Sequence, residues 1–297
     1  MTGTGNNLAA VYGRRELSGF GRDTRRYPAL VRLLVPGLIT LIASAFTHAA
    51  EESGWDLTAH YRFNEARDAF GHTRPATPTL ARLNRLGLAT ALLNVQPRTD
   101  ATLAQCVGLL EKIVAENLGD DAGITALYLL GRIDQIHRAT PDVAAARRRY
   151  TQLADGGSPH PLAQLAVVQL ALLTLYRPLV PATPPVERLA AAEALAARLT
   201  LPSAQSDLHL LLGRSTLFFG GAKEKALEHF VAARKLGIAP DRVRADTAFS
   251  TAELARELGR THVAVECYTA FLQENPRDVR SWTARQAVVA LSVTAVP

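Results

Sequence analysis

Along most of the chain the apolar residues recur every three or four positions, and no stretch alternates between apolar and polar in the way a half-buried strand would. The pattern is clearest in ADTAFSTAELARELGRTHVAVECYTAFLQENPRD, residues 245–278. Ala248, Thr251, Ala252 and Ala255 fall on one face of a first helix, which Gly259 and Arg260 end. Ala264, Tyr268 and Phe271 fall on one face of a second helix, which Pro276 stops. Small side chains on one helix and a ring on the other let the two axes approach closely, so the stretch predicts a packed helical hairpin.

The same arrangement is legible upstream. Leu83, Leu86, Gly87 and Thr90 predict a first helix, joined through Pro97 to a second with Ala104, Gly108 and Ile113. Leu127, Leu130, Gly131 and Asp134 pair with Ala146, Tyr150 and Leu153 across a loop at 138–142. A run from Leu162 to Tyr176, apolar nearly all round and therefore expected in the middle of the stack, precedes a second helix from Val186 to Leu199 with Ala192 and Ala196. Leu212, Gly213 and Thr216 pair with Ala226, Phe230 and Ala233 across Gly220-Gly221. Trp55 to Phe70, with Ala59, Phe63 and Ala66, reads as a second helix lacking a first, and Asp278 is the expected N-cap of a last helix from Trp282 to about Val293.

The turn glycine, Ala264, Tyr268 and Pro276 resemble a tetratricopeptide repeat, a 34-residue helix-turn-helix unit; Ala248, Thr251 and Ala252 depart from it by standing where that family carries Trp, Leu and Gly. A Sel1-like or other helical repeat is the alternative. The resemblance implies an all-α, right-handed superhelical solenoid of about five hairpins over residues 51–297, with a half repeat at the N-terminal end and a capping helix at the other. It also implies that the concave surface binds a protein or peptide through first-helix residues, which map here to Tyr128 and Arg132, Leu210 and Arg214, and Phe249 and Glu253. Glu253 makes that surface mixed rather than basic. The Lys and Asn pair by which some members of the family hold a C-terminal carboxylate is missing at the matching places.

Composition and charge change this picture in one region. With 48% hydrophobic and 20% charged residues the chain is able to bury a large core. Residues 1–49 hold six Arg and two acids, so +4 of the formal +6 lies there and only +2 in the remainder. Arg22, Arg25, Arg26 and Arg32 precede an apolar run from Leu33 to Phe46 and then the small residues around Ala49, the layout of a secretory signal peptide in residues 1–50. The run is about fourteen residues, short of the ~20 of a spanning helix. Export to a bacterial-type periplasm or the cell exterior is expected, the alternative being an uncleaved anchor through residues 27–46 that supplies the only membrane contact. Away from the leader the one basic cluster, Arg147 to Arg149, fans around a helix, so no nucleic-acid stripe is expected.

No HExxH, paired CxxC, GxSxG or GxxxxGK[ST] occurs, and the eight His are scattered singly, so neither a metal nor a cofactor is expected. Asp120-Asp121 reads as a helix start. Cys106 and Cys267, expected at opposite ends of the array, read as buried small residues. Two functional readings follow: a non-catalytic binding scaffold, and an all-helical enzyme or accessory domain whose site is assembled from separated residues in a deep pocket.

Overall fold

The computed structural model describes residues 53–294, and the leader readings lie outside that range. The described residues form thirteen α-helices, each packed antiparallel on its neighbour in sequence, and contain no strand. They are α1 (Gly54–Ala59), α2 (Phe63–His72), α3 (Pro78–Asn94), α4 (Asp100–Glu116), α5 (Asp121–Arg132), α6 (Val143–Asp155), α7 (Pro161–Tyr176), α8 (Pro185–Glu193), α9 (Pro202–Phe218), α10 (Lys223–Leu236), α11 (Asp241–Glu257), α12 (Thr261–Glu274) and α13 (Ser281–Thr294). The pairs expected as hairpins, α3/α4, α5/α6, α7/α8, α9/α10 and α11/α12, pack together, as do the sequence neighbours between them. Local chemistry starts them: Thr77, Thr99, Asp120 and Asp142 cap α3 to α6 with side-chain oxygens, and Pro78 and Pro161 occupy first positions where no N–H is needed. Gly220 and Gly259 end α9 and α11 with φ of 71° and 68°, which a side chain would disfavour.

Glycine also sets the packing distance. A β-carbon added at Gly131 would sit 2.5 Å from the Tyr150 ring, and one at Gly213 would sit 2.7 Å from Phe230. In these two hairpins the first helix thus rests its backbone against the aromatic side chain of its own second helix. In the last hairpin Ala252 of α11 and Tyr268 of α12 are both fully buried in one apolar cluster. Gly87 differs, because its ring is Phe70 of the preceding α2. Three contiguous apolar clusters follow along the chain, and α5 and α9 each contribute to two of them: Leu127 and Tyr128 face the middle cluster while Leu129 and Leu130 face the first, and Leu211 faces the middle while Leu210 faces the last. These shared helices transmit stability from one hairpin to the next.

Three local expectations are corrected. The stretch Trp55 to Phe70 is not one helix: α1 ends at Ala59, Tyr61 turns the chain at φ 62°, and α2 begins at Phe63. The half repeat therefore does have a short helix before it, whose Trp55 meets Phe70 edge-on at 5.2 Å. The first helix of the second hairpin closes with a π-helical turn, Ile133–His137, and the loop follows at 138–142 as expected. The helix expected from Val186 to Leu199 is α8 followed by a 3-10 turn, Ala194–Arg198; buried Gln164 holds the chain beyond it by accepting from the Thr200 N–H at 2.7 Å. Asp278 does not cap α13 but grips the Arg280 N–H and guanidinium at 2.7–2.9 Å.

Other expectations hold. Asp120 is a helix cap, and α7 is buried on nearly every side. Cys106 and Cys267 are free and buried, burial pushing their thiols up to about 12 and about 11. Among the described residues no helix is long and apolar enough to cross a membrane.

Two substitutions measure the packing argument. Tyr268→Ala removes a fully buried ring and is expected to cost roughly 3 to 5 kcal/mol of unfolding free energy in denaturant titrations. Gly131→Ala pushes a methyl group into Tyr150 and is expected to cost about 1 to 3 kcal/mol, a loss that shrinks when Tyr150 is also replaced by Leu.

Candidate functional site: the first-helix face

The six groove residues lie on matching faces of α5, α9 and α11, yet four of them are interior. Tyr128, Arg132, Leu210 and Phe249 are 2%, 4%, 6% and 7% exposed, which corrects the expectation that they line an open groove. The physical reason is aromatic packing between helices: Tyr128 lies 5.9 Å from Tyr150, and Phe249 lies 5.9 Å from Tyr268 and 5.3 Å from Phe271. Arg214 is half-buried, and Glu253 keeps 15% of its side chain exposed while accepting from Tyr268 and, at 2.7 Å, from Arg256.

Around Arg132 the structure assembles groups from three helices. Its Nη1 donates to Gln135 Oε1 at 3.2 Å and to Gln169 Oε1, on α7, at 3.4 Å, while Tyr150 on α6 donates to the same Gln135 oxygen at 2.8 Å. Among the described residues Nη2 is buried without a partner, and no carboxylate pairs with this guanidinium. The nearby carboxylate, Asp134, is 1% exposed and already held by Arg138 and Arg149 at 2.7 Å each. Arg147 instead bonds the Arg177 carbonyl at 2.9 Å, so the basic triplet scatters as its helical spacing implied. Burial pushes the Tyr128 phenol up to about 12, with Arg132 opposing, and burial pushes the Asp207 carboxyl on α9 up to about 6, with Arg214 opposing.

A second constellation was invisible in the sequence. His209 and His229 share a hydrogen bond between their Nδ1 atoms at 3.0 Å, with His229 Nε2 4.0 Å from Glu193, which in turn holds Lys225 at 2.8 Å. The two His are twenty positions apart on α9 and α10, so only the hairpin brings them together. Burial lowers both, His229 to about 4 with Glu193 opposing and His209 and Lys225 assisting, and Glu228 also faces it. Asp207 stands two positions before His209 on α9, a spacing that points the two side chains to opposite sides of the helix.

Among the described residues no group of three or more His, Cys, Asp or Glu is placed to hold a metal ion. Open depressions of about 400 Å³ lie beside Leu103, Val107 and Arg138, the residue that holds Asp134, and beside Asp241, Asp246 and Arg280. No family model and no curated protein matches the chain.

Two outcomes test these assignments. Arg132→Met removes a buried charge that lacks a counter-ion, so stability is expected to stay level or rise by about 1 to 4 kcal/mol, whereas Arg132→Glu is expected to unfold the middle hairpins, both read from denaturant midpoints. His229 is depressed in the folded state, so its contribution is complete above the ordinary value of 6.5 and is lost as pH falls toward about 4. Over that window His229→Gln is expected to flatten the decline of unfolding free energy by an amount on the order of 2 to 3 kcal/mol.

Proposed function

We propose that the chain is a non-catalytic scaffold that holds a protein or peptide on the first-helix side of a tetratricopeptide-like, right-handed superhelical array. The observation that carries this reading is the repeated seating of a small first-helix residue on a second-helix ring, Gly131 on Tyr150 and Gly213 on Phe230. That contact sets the helix spacing within a hairpin and leaves matching first-helix positions along one side, as an extended ligand needs. Along that side the half-buried Asp207, Arg214 and Glu253 supply charge of both signs, which suits a ligand with a charge pattern rather than a polyanion. The enzyme reading has less support, since Asp207 and His209, which pairs with His229 of α10, point to opposite sides of α9, so these perturbed groups do not converge.

The basic, apolar and small-residue order of residues 22–50 supports export of this scaffold to the periplasm or cell exterior. Intact-mass analysis of protein recovered from that compartment is expected to give an N-terminus between Phe46 and Glu51; a retained apolar run would favour the anchor. For binding, photo-crosslinking groups placed at Arg214 and Glu253 are expected to capture one partner in the envelope, and the same groups at Glu228 and Glu266 on second helices are expected not to. Equal capture from both sets, or none from the first, would remove the first-helix face as the site.

A further inference from the structure

The fold buries a cation that its own acids leave unbalanced. Arg132 is 4% exposed, and its Nη1 is taken up by the neutral Gln135 and Gln169 carbonyl oxygens at 3.2 and 3.4 Å. Among the described residues its Nη2, also shut off from solvent, has no partner. The phenols beside it add no negative charge, because burial pushes Tyr128 up to about 12 and Tyr150 well above its ordinary value, so both keep their protons. Burial also lowers His137 to about 4, with Arg98 and Arg132 assisting, and Arg98 donates to its Nδ1 at 2.8 Å. That side therefore holds a neutral imidazole and a second cation. Asp134, the nearby carboxylate, is occupied by Arg138 and Arg149 at 2.7 Å each. A guanidinium removed from water without a counter-ion is strongly unfavourable, so the arrangement is completed by an anion from outside the chain.

Position and charge describe that anion. Gln169 stands four positions after Leu165 and three before Leu172 on α7, and both leucines are half-buried, so Gln169 belongs to the row that borders solvent while its amide reaches Arg132. The guanidinium thus lies directly beneath the first-helix surface. A water at Nη2 would complete the hydrogen bond but leave the charge unbalanced. A dianion such as phosphate would bring a second charge that nothing here neutralises, with the charge of Asp207 already felt at Tyr128. A carboxylate matches both the single charge and the unpaired N–H edge. We propose that Arg132 recognises a carboxylate of the ligand, which enters from the first-helix surface over α7 and accepts a hydrogen bond from Nη2. An acidic side chain or the C-terminus of a bound peptide is its source. That source rests on the scaffold reading, whereas the unbalanced guanidinium does not.

The test compares sodium acetate with sodium chloride at equal ionic strength, read on the full chain by thermal melting. Acetate at roughly ten times its Kd is expected to raise the melting temperature by about 3 to 6 °C. Arg132→Met, which removes the charge, and Arg132→Lys, which keeps it without a second amine, are each expected to lose most of that rise. Labelled peptides of one sequence then separate the sources by anisotropy: amidated with a central Glu, amidated with Gln there, and Gln with a free C-terminus. The Glu or the free-acid peptide is expected to bind the wild-type chain at least roughly ten-fold tighter than the amidated Gln peptide, and the preference is expected to vanish in Arg132→Met. An acetate rise with no peptide preference would uphold the carboxylate site and count against the scaffold reading alone. The proposal is overturned if acetate and chloride give the wild type the same melting temperature, or if both variants respond to acetate as the wild type does, the outcome that leaves only an internal water at Nη2.

Discussion

The structure depends on one steric relation, a helix backbone resting on the ring of its neighbour. Gly131 and Gly213 leave less than 3 Å between a β-carbon position and the rings of Tyr150 and Phe230, so no other residue fits without displacement. The relation fixes how far apart the helices of a pair lie. It also explains the clusters, because once α5 and α9 are held at that distance their remaining faces must be covered by the hairpins before and after them. A hairpin alone would leave half of such a helix in water, and the stability of each pair is therefore inseparable from its place in the series.

Covering a helix on all sides forces some polar groups inside. Asp134 illustrates a satisfied case, with both carboxylate oxygens held by guanidinium groups at 2.7 Å, and Gln164 another, its amide serving as a cap for the irregular end of the α8 segment. Arg132 is the contrary case. Its charge faces only neutral amides and phenols and one N–H edge is left over, an arrangement that costs free energy relative to an apolar side chain of the same volume. Nothing in the packing of Tyr128 or Tyr150 requires a cation there.

What the sequence made legible was whatever depends on helical period and on residues that act locally. The hairpins, the cap at Asp120, the glycine turns and the buried Cys residues all follow from spacing within one helix or one turn. The break after Ala59 did not, since neither Gly nor Pro marks it and Tyr61 takes the left-handed conformation against its own preference. The inward burial of Tyr128, Arg132, Leu210 and Phe249 was hidden for a different reason. Position on a helix says which residues share a face, but which faces the neighbouring hairpins cover is settled only by tertiary packing. The His209–His229 contact likewise joins two helices whose relative register no local signal encodes.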